Sequence, residues 1–152
     1  MSLKQTVIGE LSKAEISYIV RGNKFTYEQV KQNIQKFLRA VLKEMIFLLE
    51  QWIKQKVPKD TGNLRNDLLQ KLHTSYIQNE ILRLVLATDV DYAIYVNNMP
   101  TMRVRHSGER RGRKILDDPN AVGYFFDKMV EFAKERMMTV LAREKENYFG
   151  RK

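Results

Sequence analysis

Asp60-Thr61-Gly62 is a tripeptide with a catalytic precedent. Asp-Thr-Gly carries the aspartate of aspartic proteases, where two such loops bring two carboxylates together to share a proton. Here one copy is present, directly after Lys59 and the end of a long amphipathic stretch. A second carboxylate would have to come from another chain, and a long helix before the loop does not fit that protease fold. The surrounding residues give the tripeptide a structural role. Pro58 cannot donate a backbone hydrogen bond and biases Val57 away from helical geometry. Asp60, Thr61 and Asn63 supply side-chain acceptors for a turn, and Gly62 is free to adopt positive φ.

Other groups capable of chemistry are sparse. His73 and His106 have no acid or serine at a spacing that suggests a triad or a general base, so both read as surface or satisfied histidines. Asp89 and Asp91 share a side of an extended chain. Two carboxylates without further oxygen ligands make a poor cation site, so turn capping is the stronger role. Asp117-Asp118 is explained by a helix start. The chain has no phosphate-cradling glycine loop, zinc-ligand spacing or nucleophile elbow. Nothing points to a cofactor, a metal or an enzyme. The strongest functional lead is charge: Arg103, Arg105, Arg110, Arg111, Arg113 and Lys114 stand against Glu109 alone, six positive to one negative. Phosphate contact needs charge more than fixed geometry. Few aromatic residues interleave, which argues against a reader that stacks single-stranded bases. The competing reading is a solvated loop.

The formal net charge of +9 over 152 residues favours an anionic partner: nucleic acid, an acidic protein face or a membrane surface. The apolar share of 43% is enough for a real core. Absence of cysteine excludes disulfides and thiol chemistry. No run approaches the roughly 18 apolar residues of a membrane span, and the first residues do not look like a signal peptide.

The clearest element is a helix over 26–56. Thr26 and Gln29 form a capping box. Val30, Ile34, Phe37, Val41, Met45, Leu48 and Trp52 then recur at alternating intervals of three and four. Leu38, Leu42, Ile46, Leu49 and Ile53 widen the stripe, so the helix needs more than one neighbour. Ile81 to Ala87 alternates as a strand, with Leu82, Leu84 and Leu86 on one face and Arg83 on the other, after a turn at Gln78-Asn79-Glu80. Tyr92 to Asn97 fits a short helical turn or a strand. Met102 and Val104 alternate with Arg103 and Arg105 as a strand would, and residues 107–114 form a charged loop. Asp118-Pro119 opens a last helix running to about Asn147, with Asp as N-cap and Pro at the first position. Residues 1–25 fit either a strand, through Ile16, Tyr18 and Val20, or a helix, through Leu11, Ala14 and Tyr18.

Two segments together resemble a family. The first is Pro58-Lys59-Asp60-Thr61-Gly62-Asn63-Leu64-Arg65, and the second is Tyr92-Ala93-Ile94-Tyr95-Val96. The tailed-phage head–tail joining, or tail-completion, proteins of the neck have a helix ending in Pro-x-Asp-Thr-Gly-x-Leu-Arg. A strand pair follows, and then Tyr-Ala-x-Tyr-Val. The matching positions are Pro58, Asp60, Thr61, Gly62, Leu64, Arg65, Tyr92, Ala93, Tyr95 and Val96. The order of elements is similar from about Thr26 onward. Where the family has an acidic residue and Gly-Thr after its Tyr-Ala segment, this chain has Asn97-Asn98-Met99-Pro100.

The alternation over 66–75 is poor and fits a helix equally well. The resemblance implies a strand there, making Asn66 to Thr88 two antiparallel strands. It implies an α+β fold, with the long helix and the C-terminal helix packed on a small antiparallel sheet. Residues 26–152 would form one domain, preceded by an arm, residues 1–25, of unassigned structure. It implies a structural, non-enzymatic role in the virion neck, in a homo-oligomeric ring of six copies between head connector and tail, assembled in the host cytoplasm. Other neck and tail proteins would be partners, with non-specific DNA contact through the basic segment and no membrane. The alternative is a small basic nucleic-acid-binding protein acting alone.

Overall fold

The computed structural model describes residues 3–23, 26–57, 63–98 and 124–149. The described elements are β1 (Leu3–Gly9), α1 (Lys13–Asn23), α2 (Tyr27–Lys56), α3 (Asn63–Leu72), β2 (Tyr76–Gln78), β3 (Ile81–Thr88), α4 (Ala93–Asn97) and α5 (Phe125–Phe149). They make an α+β fold, with a three-stranded antiparallel sheet in the order β1-β3-β2 and α2 and α5 as its long helices.

The long helix starts as its sequence dictates. Thr26 Oγ1 accepts from the Gln29 N–H at 3.1 Å and Gln29 Oε1 accepts from the Thr26 N–H at 3.0 Å, closing the capping box. Val30, Ile34, Phe37, Leu38, Val41, Met45, Leu49 and Ile53 are buried along its inner face. α5 lies antiparallel to it. Phe37 meets the Phe149 ring edge-on at 5.8 Å, and Trp52 meets Phe132 at 6.1 Å. Arg143 of α5 pairs with Glu44 of α2 between these contacts.

The sheet turns one face to the helices. Leu82, Leu84 and Leu86 are buried there, and the register sets Gly9 opposite Leu82 and Val7 opposite Leu84. α5 comes so close that a Cβ on Gly9 would stand 2.7 Å from Met137 Sδ. The other face carries Arg83 and Val85, both half-buried, as the alternation requires. β2 and β3 are joined through Asn79 and Glu80 at φ 55° and 60°. Gln78 pairs with Ile81, so this is a two-residue hairpin loop whose two left-handed residues match the twist of the strands.

Residues 66–75 correct the expectation of a strand. Asn63–Leu72 is a helix, and Leu64, Leu68 and Leu72 are its buried face. Four-residue spacing brings these leucines together on one side of a helix, whereas a strand would interpose Asn66 and Gln70 between them on the same face. Only Tyr76–Gln78 of the expected first strand is extended. Tyr92 to Asn97 resolves as the helical alternative. Ile16, Tyr18 and Val20, which could have alternated as a strand, are helical, and the strand lies earlier, at residues the sequence did not single out. Leu3–Gly9 is a strand paired with β3 along its whole length, and Lys13–Asn23 is a helix. Ser12 and Glu15 form a second capping box at its start, at 2.8 and 3.1 Å. The expected strand at 102–105, the charged loop 107–114 and the helix start at Asp118-Pro119 lie outside the described residues, as does His106.

Candidate functional site: a joint between helices and sheet

Of the first motif, Pro58, Asp60, Thr61 and Gly62 lie outside the described residues, and its flanks are defined. α2 ends at Val57, buried and extended at φ −87° and ψ 137°. Arg65 donates from Nε to the Val57 carbonyl at 2.6 Å. That carbonyl ends the helix and has no partner further along it, so the guanidinium supplies a charge-assisted donor where the helix leaves acceptors open. Leu64 is buried beside it. The two side chains fix α3 to the exit of α2.

At the far end of the sheet, Asp67 of α3 holds the end of β3. One carboxylate oxygen accepts from Thr88 Oγ1 and from the Asp89 N–H, each at 2.7 Å; the other accepts from Lys71 Nζ at 2.8 Å. Lys71 also reaches the Asp89 carboxylate at 3.2 Å. Burial pushes the Asp67 carboxyl up. The hydrogen bonds from Lys71, Thr88 and the Asp89 N–H together outweigh that and hold it below the usual aspartate range. Lys71 is raised in turn by its bonds to Asp67 and then Asp89. Asn63, Gln70, Val90 and Tyr92 line an open groove around this clasp.

The second motif continues from there. Ala93 and Val96 of α4 are buried, and half-buried Tyr92 packs against the core. Tyr95 is the third residue of the same helix. Asn97 closes α4 and is itself buried. Its Oδ1 accepts from the Phe126 N–H at 2.7 Å, and its Nδ2 stands 3.5 Å from Asp127 Oδ2. Phe126 is the second residue of α5, where a cap side chain normally accepts. Tyr124, the residue before that helix, sits at φ 53° and has no short polar side chain to offer. Asn97 therefore caps α5 from a different helix.

Sequence reasoning missed Asp67 and Asn97. Lys71 four residues after Asp67 hints at an ion pair, but the Thr88 and Asp89 partners are non-local. Asn97 falls where the family pattern is broken, and that departure is the one signal it offers. His73 Nε2 lies 2.6 Å from Glu50 Oε2, on an exposed edge. The Asp89 N–H donates to Asp67 and its carboxylate meets Lys71, while the cap of this turn is Thr88, whose Oγ1 accepts from the Val90 N–H at 3.2 Å. No group of three or more His, Asp or Glu able to hold a metal occurs among the described residues. The basic residues Arg103, Arg105, Arg110, Arg111, Arg113 and Lys114 lie outside them.

The described ties lie in and beside the two motifs: Arg65 joins α3 to α2, and the neighbouring Asp67 and Asn97 join α3 to β3 and α4 to α5. This is the anatomy of an α+β module held together by side-chain joints. Residues 24–98 match the HK97-gp10-like family model, described as "Bacteriophage HK97-gp10, putative tail-component", and over that stretch the chain is similar to this family of phage tail components. No curated protein and no solved structure matches the chain. No helix among the described residues is long and apolar enough to cross a membrane.

Proposed function

We propose that the chain is a structural component of a tailed-phage or prophage neck, one copy of a ring that joins the head connector to the tail around the DNA channel. The observation that carries this reading is the family match over residues 24–98, which takes in α2, both flanks of the first motif, the β2–β3 hairpin and α4. Six copies is the ring size the resemblance implies. The role is one of shape, interface and charge, without turnover. The basic segment 103–114 falls in the sequence between α4 and α5, and the net charge of +9 supports an anionic surface as its partner, either DNA in the channel or an acidic neighbouring ring. The same charge favours the second reading, a basic nucleic-acid-binding protein acting alone.

Electron microscopy of the purified protein, and of particles containing it, separates the two. Closed rings formed without DNA are expected. A single copy at the neck, or an open filament, would overturn the ring. A protein that stays monomeric and binds duplex DNA with strongly salt-dependent affinity would favour the second reading.

A further inference from the structure

Two outward faces of the chain carry unpaired charge of opposite sign, each around one exposed apolar side chain. On α2, Lys36, Lys43, Phe47 and Lys54 recur at intervals of seven, four and seven residues, which keeps them on one stripe of the helix. All are exposed, Phe47 at 58%. The stripe spans about 27 Å, and exposed Arg39 flanks it. None of these four cations has an acidic partner among the described residues, and Glu50 beside them is taken by His73.

On α5, Glu131, Glu135, Met138, Ala142 and Glu146 recur at intervals of four, three, four and four. All are exposed, Met138 at 74%. The three glutamates pair with no cation among the described residues. Lys128 and Lys134 flank them, so the face is acidic at its centre and mixed at its rim. The ion pairs of α5 that are formed, Arg143 with Glu44 and Lys145 with Glu15, tie it to its own chain.

One exposed phenylalanine is ordinary. The two faces matter together, because each is the electrostatic complement of the other, with an apolar centre inside a charged rim. A thioether and an aromatic ring also make a favourable contact. We infer that the α2 stripe of one copy docks on the α5 stripe of a second copy. This deepens the ring reading and rests on it. With the helices antiparallel and Phe47 on Met138, Lys54 stands two turns along at Glu131, and Arg39 two turns back at Glu146. The α2 stripe cannot dock on itself, since its lysines would meet. The contact therefore joins two different patches, a heterologous interface that repeats from copy to copy and closes only if its rotation allows.

The chain has no cysteine, so introduced thiols are the only ones present. In the antiparallel alignment, Lys43 lies opposite Ala142. Full-length Lys43→Cys and Ala142→Cys chains, mixed at high concentration and oxidised, should give a disulfide-linked dimer that neither forms alone. Adding Lys54→Glu to the first chain should abolish it, and adding Glu131→Lys to the second should restore it. All these positions are exposed, so unfolding transitions should stay at the parent value. Failure of the mixed cross-link, equal cross-linking of Lys43→Cys alone, or indifference to charge reversal would overturn the interface. So would loss of duplex DNA binding in Lys54→Glu with no mixed cross-link, which would make the stripe a phosphate-binding face. Closed rings in micrographs without the cross-link would leave the ring standing and this interface refuted. The cross-link with open filaments would do the reverse.

Discussion

At Asp67 one carboxylate accepts from three donors: Lys71 of its own helix, Thr88 at the end of β3 and the Asp89 N–H just past it. Replacing it by alanine leaves the buried Thr88 hydroxyl and the Asp89 N–H without their acceptor. Loss of a partner of this kind costs about 1–3 kcal/mol. Asp67→Ala should therefore lower unfolding stability by that amount in a denaturant titration. The same group sets a pH dependence. Its carboxyl is held below the usual range in the folded chain, so its contribution is full above the unfolded-state value. That contribution fades as the pH falls through the lower folded-state value. Glu15 behaves alike, held down chiefly by its bond from Lys145 and then by the Ser12 N–H. Stability measured from neutral pH into acid should fall, and the fall should be shallower in Asp67→Ala. Glu80 offers the opposite case. It is a left-handed residue in a tight hairpin, at φ 60°, and such non-glycine positions cost of order 1 kcal/mol or more. Glu80→Gly should raise the thermal midpoint, by about 1 kcal/mol in stability.

Among the elements, α5 depends on a cap that its own sequence does not provide. Asn97→Ala would leave the buried Phe126 N–H unsatisfied at a cost of about 1–3 kcal/mol. Hydrogen exchange should then show lost protection in the first turn of α5, while the middle of α2 keeps its protection. Unchanged exchange at Phe126 and its neighbours would refute the capping role. How much of the elements was legible follows from the range of their interactions. α2 announces itself because its period, its capping box and its stop are all local. The hairpin into β3 is likewise written in adjacent residues. β1 could not be assigned, because what makes Leu3–Gly9 a strand is its pairing with residues 82–88. α3 was misread although Leu64, Leu68 and Leu72 carry a helical spacing. The strand expectation came from the resemblance and overrode the local pattern. The joints at Asp67 and Asn97 were hidden for the same reason as β1, since their partners lie more than twenty residues away.

For the whole molecule the dominant facts are a tied helical core on a small sheet and a large excess of positive charge. The six cations of residues 103–114 contribute to that excess without a matching supply of acids nearby. Replacing Arg110, Arg111 and Arg113 with Ser should leave the unfolding transition of the isolated chain nearly unchanged, because a run of charge with two glycines offers almost no apolar residues to a core. Particle assembly should weaken. The defect should deepen as salt rises and screens the charge that remains. Normal infectious particles across a salt series would show that the segment is a solvated face with no partner.

The bond from Phe126 to Asn97 has a topological consequence. It brings Asn97, near one end of segment 99–123, into direct contact with Phe126, near the other. The described residues that flank the segment are thus tied to one another, whatever lies between them. Related chains could then exchange this stretch wholesale, with a different length or charge, while α4 and α5 stay in register. Change would be confined to that stretch, and the stitched body on either side of it would pass unaltered from one chain to another.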